Sequence, residues 1–337
     1  MSIEIILYPK KAKKNDLINH LLNLGYVKCN HLWNWPKGSV HFAWFEEKDY
    51  MSIDGVEATV YPNDKEEYPN TKYALHTRTR SCASSFDKAF QNKTINELRS
   101  KFGGDFFNDS YGKNRYIQAE LDNRMSQSRG IFNTYIYIKE NIESLLKSLP
   151  EDLFEIKGDD PTGIKEIASR HSPYRILYNS MIPFLVSCIE HFFSKTFQIL
   201  LKYDSEAQDK LSGKLSKKDK KIDKKIQEGS KSLEQCISEW YSFQNTVSIR
   251  KAFNEWFNID IWELMQKRKK IKDRFIILEK EISKLIGFRH GIVHRYDIDR
   301  DLKRKDVEII AASIIELMKL SIEQIEKKNE NQNKIRR

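Results

Sequence analysis

An arginine and two histidines stand within six residues at the end of an amphipathic segment, in the stretch Phe288-Arg289-His290-Gly291-Ile292-Val293-His294-Arg295-Tyr296. On a helix Arg289 and His294 lie about 140° apart, whereas His290 and His294, four residues apart, share a face. That geometry admits three readings. A one-face histidine pair can ligate a metal, but the zinc hydrolases that use such a pair place a glutamate after the first histidine, where this chain has Gly291, and no third ligand stands nearby. An arginine with a histidine suits metal-free phosphoryl transfer. A histidine, with an unperturbed pKa near ~6.5, can take the proton of a ribose 2′-hydroxyl or protonate a departing 5′-oxygen, and a guanidinium can steady the charge that builds on phosphate. The third reading is structural, since basic side chains near a helix C-terminus interact favourably with its dipole and last carbonyls.

The elements that must position this stretch are helical. Tyr174 to Tyr203 carries an apolar face too dense for a surface helix, including Leu185, Cys188, Phe192, Phe193 and Phe197, with Pro183 kinking it or marking its effective start. Leu233–Phe243 and Ile249–Phe257 read as shorter helices. Ile271, Phe275, Leu278, Ile282 and Leu285 recur at spacings of four and three, which predicts one amphipathic helix running straight into Arg289. Asp297–Asp301 breaks it, and a last helix from Val307 to Ile325 gives way to a polar tail from Lys327, expected to fray. The lysine run Lys214, Lys217, Lys218, Lys220, Lys221, Lys224 and Lys225 is either a solvated loop or a guide for a polyanion.

The N-terminal part has a different character. Residues 1–62 read as a small mixed α/β unit: strands at Ile3–Tyr8, Tyr26–Asn30 and Val40–Phe45, a helix with Leu17, Leu21, Leu22 and Leu24 closed by Gly25, and a hairpin turning on Asp54-Gly55. Tyr73–Arg80 fits a further strand, Thr94–Phe102 a helix ended by Gly103-Gly104, and Arg115–Leu149 a mostly helical segment broken near Gly130. Arg78, Arg80, Arg99, Arg115 and Arg124 either form an anion or nucleotide pocket or pair with carboxylates. Pro150–Gly163 has linker composition. The fold class expected is α+β, a small α/β domain over 1–155 followed by an all-α bundle over 164–328 and a polar tail over 329–337.

Composition narrows the classes. The chain has 337 residues, 39% hydrophobic and 31% charged, with a net charge of +10. From residue 201 onward 32 Lys and Arg face 23 Asp and Glu, so the basic excess sits beside the opening motif. A one-sided basic bias fits either a polyanionic partner bound through counterion release or a lysine-rich solvated surface. The four cysteines, Cys29, Cys82, Cys188 and Cys236, are far apart and form no CxxC pair, which points to free thiols in a reducing compartment. No signal-peptide pattern and no run of ~18 apolar residues is present, so a cytoplasmic location without a membrane partner is expected.

Over residues 166–328 the chain resembles the HEPN superfamily. The similarity lies in a long first helix with Leu185-Val186-Ser187-Cys188-Ile189-Glu190-His191-Phe192-Phe193, a penultimate helix ending in the Arg-x4-6-His motif as Arg289 to His294, and a last helix after a short turn. The resemblance implies a homodimeric, metal-independent endoribonuclease needing no cofactor. Its motifs would face each other across two protomers, cleavage would leave a 2′,3′-cyclic phosphate, and the setting would be anti-phage defence or toxin-like growth arrest. It makes Arg289 and His294 the catalytic pair and Glu190 a supporting acid. Family members often carry a polar residue such as asparagine after the arginine; His290 stands there and is assigned to support. Tyr296, in the longer Arg-x4-His-x-Tyr form, is where toxin members are adenylylated. Lys217, Lys218, Lys220, Lys221 and Arg295 are the residues expected to hold RNA. The N-terminal domain is left to sense a trigger, phage-derived or a nucleotide. The competing class is a HEPN domain that dimerises or binds RNA without cutting it.

Overall fold

The computed structural model describes residues 2–30, 35–64, 67–120, 122–151, 163, 167, 171–215 and 229–335, with 212–215 and 330–335 as backbone only. The chain divides into two compact units, Met1–Asn133 and Thr134–Arg337. The division falls within helix α3 (Ser126–Ser148). The linker read at 150–163 lies outside the described residues except for Pro150, Glu151 and Gly163.

The first unit contains β1 (Ser2–Tyr8), α1 (Lys14–Asn23), β2 (Val27–Cys29), β3 (Val40–Trp44), β4 (Val56–Pro62), β5 (Tyr73–Arg80), α2 (Ser85–Phe102), β6 (Asp105–Asn108) and β7 (Gly112–Lys113). All strand pairs are antiparallel, in the order β2-β3-β4-β5-β1-β6-β7. The path β1-α1-β4 brackets β5, and β5-α2-β6 brackets β1. These are two interlocked split βαβ units with β2 and β3 added at one edge. Alternation along the strands sends Ile5, Leu7, Phe42, Val56, Ala58, Val60 and Leu75 to one face, where Leu17 and Leu21 of α1 and Ile95 and Leu98 of α2 close the core. The expected sheet of the first 62 residues is thus part of a wider one.

Three sequence expectations change here. Asp54-Gly55 does not turn a two-residue hairpin; Lys48–Tyr50 form a short 3-10 turn instead. The N–H groups of Ile53 and Asp54 donate to Asp87 Oδ2 at 3.0 and 3.2 Å, so a buried carboxylate takes the donors that a strand ladder would have used. Gly55 has φ +75°, and a Cβ there would lie 2.1 Å from the Trp44 carbonyl oxygen. Helix α2 begins nine residues before Thr94, because Ser84 and Asp87 form a reciprocal cap. Helix α3 starts only at Ser126 and runs through Gly130 unbroken. That glycine serves a close approach, since a Cβ would meet the Tyr50 ring at 2.7 Å. Of the dispersed arginines, Arg78 pairs with Glu4 and Glu57, Arg80 with Asp54 and Arg124 with Asp122.

The second unit holds the end of α3, then α4 (Pro173–Tyr203), α5 (Ser205–Leu215), α6 (Leu233–Ser238), α7 (Thr246–Phe257), α8 (Ile261–Met265), β8 (Arg268–Ile271), β9 (Arg274–Ile277), α9 (Leu278–Arg295) and α10 (Arg304–Ile335). Helix α4 is the centre, with α9, α10, α6 and α7 packed against it. Among the described helices only α4 has the length and mean hydropathy to cross a membrane, and half of its apolar stretch is buried inside this unit. Phe197, fully buried, packs its ring within 5.2 to 6.2 Å of Phe243, Phe253, Trp256 and Phe257, each buried aromatic contributing about 2–3 kcal/mol of transfer free energy.

The unit is not all-α. Ile271 and Phe275, read as the start of the motif helix, form a two-stranded antiparallel hairpin, Arg268↔Ile277 to Ile271↔Arg274. Lys272 turns it with φ 53°, and Ile271 and Ile276 are buried from one face. The spacing of the apolar residues fitted a helix, but Lys272-Asp273 broke the run and each arm was short enough to pair. The last helix also continues to Ile335 instead of ending near Lys327, with Lys328 bonded to Asp204 and to the Phe257 carbonyl. Cys188 and Cys236 are buried and Cys29 is exposed, and among the described residues no disulfide joins any of the four cysteines.

Candidate active site

The motif occupies the last two turns of α9. Ile282 and Leu285 bury its inner face, and Arg289 sits half-buried one turn further on, while His290, His294 and Arg295 are exposed. The helix ends where Tyr296 adopts the left-handed conformation, φ 57° and ψ 36°. Its N–H donates to the Ile292 carbonyl, and the N–H of Asp297 donates to the carbonyl of Gly291. A Cβ on Gly291 would meet Asp297 Oδ2 at 3.0 Å. Glycine at this place therefore lets the chain fold back over the helix end. A tyrosine at positive φ is uncommon. Tyr296 is 73% exposed, so packing is not what keeps it there.

The loop after the motif is clamped from α4. Asn179, fully buried, donates from Nδ2 to the Asp299 carbonyl at 2.8 Å and accepts the Asp299 N–H at 2.9 Å. Arg175, also buried, donates to the Leu302 carbonyl at 2.6 Å. These two positioning residues, 120 and 127 positions from their partners, were not singled out in the sequence. Nothing local marks them, although a polar pair one helical turn apart inside a dense apolar segment is the available signal.

The candidate residues themselves divide sharply. Arg295 is held by Asp297, Nε to Oδ2 at 2.9 Å. Glu190, half-buried on α4, accepts from Gln244 Nε2 at 2.7 Å, and among the described residues no bond joins it to the motif. Among the described residues, no hydrogen bond or ion pair reaches the side chains of Arg289, His290 or His294. The two imidazoles contact each other, with ring centroids 4.5 Å apart and planes tilted 48°. Among the described residues no group of three His, Cys, Asp or Glu side chains could hold a metal ion, so this histidine pair lacks a third ligand there. Arg289 and His294, about 140° apart on the helix, do not bond to one another within one chain. Lys217, Lys218, Lys220 and Lys221 lie outside the described residues.

Chemically, the helix end presents one guanidinium able to bind an oxyanion and two imidazoles able to exchange protons, none hydrogen-bonded or ion-paired among the described residues. No protein-family model matches the chain, and no curated protein or solved structure was found to match it, so the case for this site rests on its geometry and on the residue types it brings together.

Proposed function

We propose that the chain is a metal-independent endoribonuclease of the HEPN type, with Arg289 and His294 as the catalytic pair, acting in anti-phage defence or growth arrest. One observation carries the reading: three side chains suited to phosphoryl transfer stand at an accessible helix end with no hydrogen bond or ion pair among the described residues, while Arg295 and the loop that follows them are held by specific bonds. A guanidinium and imidazoles left open at a helix end can engage a phosphate and exchange protons with it.

In this reaction the RNA supplies the nucleophile. His294 removes the proton of the ribose 2′-hydroxyl, the 2′-oxygen bonds to phosphorus, and the bond to the 5′-oxygen breaks as that oxygen takes a proton. Arg289 steadies the charge on the phosphate oxygens. The products are a 2′,3′-cyclic phosphate and a 5′-hydroxyl. As the HEPN resemblance implies, the active form is a homodimer in which the motifs of two copies face a single phosphate and the second copy's motif supplies the acid, an arrangement that suits a pair diverging on one helix. His290, against His294, supports the imidazole's orientation. Glu190, turned to Gln244, has a structural bond that the supporting role must compete with. The Tyr296 hydroxyl is accessible for adenylylation. The chain's first unit is left to sense a trigger.

The test is cleavage of labelled single-stranded RNA by the full chain in excess EDTA, beside His294→Ala and Arg289→Ala. Wild type should cleave and leave cyclic phosphate ends, with each variant slower by about 100-fold or more. Three equal activities would remove the assignment. Activity lost to EDTA and restored by zinc would favour the histidine pair as metal ligands. An RNA-binding dimer in which no copy cuts, even on expression with its trigger, would make the domain a silent binding module.

A further inference from the structure

The β8–β9 hairpin, whose strands separate its two faces, is charged on both but neutralised on only one. Register places Lys269, Ile271, Arg274 and Ile276 on the face toward the helices. Ile271 and Ile276 are buried, Lys269 pairs with Glu316 at 3.3 Å and Arg274 with Asp306 at 3.2 Å. At the turn Lys272 pairs with Glu308, and Asp273 with Lys305 at 2.7 Å. The opposite face carries Arg268, Lys270 and Phe275, with Lys270 directly across from Phe275. All three are exposed, Phe275 by 61%. Arg268 lies over the Phe275 ring at 5.0 Å, and among the described residues neither Arg268 nor Lys270 has an ion-pair partner.

We propose that this outer face is a binding site for single-stranded RNA, with a base stacking on Phe275 and backbone phosphates on Arg268 and Lys270. An exposed aromatic ring on a paired strand, beside cations with no ion-pair partner among the described residues, has the composition of the platforms that hold single strands without reading sequence. The inward face excludes simple lysine excess as the explanation, because there every cation has been given a carboxylate. A single strand is specified because stacking needs a base face that a duplex keeps covered. The inference deepens the ribonuclease reading, since the hairpin opens directly into α9 and Arg289 lies eleven residues along that helix, about 17 Å at 1.5 Å per residue. RNA lying on the hairpin would thus be fed toward the motif.

The experiment measures binding apart from cleavage. Full-length His294→Ala protein is titrated into a fluorescein-labelled oligouridylate, by anisotropy over a series of salt concentrations, with Phe275→Ala or Arg268→Ala/Lys270→Ala added. The urea midpoint of each variant is compared with that of its parent to establish folding. Phe275→Ala should weaken binding about 5- to 100-fold, with the salt slope unchanged. The double variant should lower the slope by about 1.4, at ~0.7 per phosphate contact on a single strand. A blunt-ended RNA duplex should not respond to Phe275→Ala. Two folded variants binding as tightly as the parent would overturn the proposal. So would absence of binding by the parent, or polyglutamate displacing the strand with no dependence on Phe275, which would assign the face to an acidic protein. In the cleavage-competent chain, Phe275→Ala should raise KM and leave kcat. RNA binding that depends on Phe275 in a chain that never cuts would sustain this site and remove only the catalytic reading.

Discussion

Removing the Asn179 amide should loosen the end of the motif helix more than any surface change nearby. Asn179→Ala deletes two bonds to the Asp299 backbone, 2.8 and 2.9 Å long, and a third to the Arg175 carbonyl at 2.7 Å. The Arg175 carbonyl keeps its place in α4, so the loss falls on Asp299. Two bonds from a fully buried amide, at about 1–2 kcal/mol each when their partners lose a matched neighbour, give about 2–4 kcal/mol. With a urea slope of ~2–3 kcal/mol/M, the midpoint of the second unit should fall by about 1 M. Hydrogen exchange of the peptide containing Asp299 should accelerate alongside. Asn179→Asp should be worse than alanine at neutral pH, because it sets a buried negative charge against a carbonyl oxygen, and should recover as the pH is lowered and protonation restores a donor. A midpoint within about 0.2 M of wild type, with the Asp299 peptide still protected, would refute the clamp.

Other outcomes follow from the same kind of accounting. Asp87→Ala removes the acceptor of the Ile53, Asp54 and Ser84 N–H groups and should lower stability by about 3–5 kcal/mol, read in the thermal unfolding of the first unit, with Asp87→Asn milder. Gly130→Ala forces a methyl onto the Tyr50 ring and should cost about 1–3 kcal/mol, whereas Gly287→Ala in α9, where nothing lies within 4 Å, should be neutral or stabilising by up to ~1 kcal/mol. Burial pushes His76 below its ordinary value of 6.5 despite its bond to Glu4 at 3.1 Å. Glu4 is raised by burial but lowered further by hydrogen bonds from His76 and Ser2, ending below its ordinary 4.5. Both contributions are therefore full above those ordinary values and are lost as the pH falls, His76 first. His76→Gln should flatten the decline of the melting temperature just below pH 6.5; an unchanged slope would show that other groups carry it.

Legibility followed the range of the interaction. The strands β1, β3 and β5 were readable because alternation is local, and α4 because its apolar density is. The Asp54-Gly55 turn was misread because Asp87, more than thirty residues away, claims the N–H groups on which a hairpin would depend. Ile271 and Phe275 satisfied a helical spacing and a strand pairing equally, and Lys272 in the left-handed region decided for the strand. At the candidate site the residue types and their order were visible in nine consecutive residues. The clamp from Asn179 and Arg175 was not, since side-chain bonds across 120 residues leave no mark on either local pattern.

The interlocked sheet also sets the order in which the chain can settle. β1 lies between β5 and β6 in space, yet Ile5 finds its partners only at Thr77 and Asn108. At a synthesis rate of ~5–20 residues per second, the ribosome needs about 5–20 s to deliver both neighbours after β1 has been made. Until β5 is made, an apolar strand destined for the centre of the sheet has two unpaired edges, and until β6 is made it still has one. Chain closure over some hundred residues, not helix formation, is then the slow event of folding the first unit, and a newly made chain should depend on chaperone cover until β6 arrives.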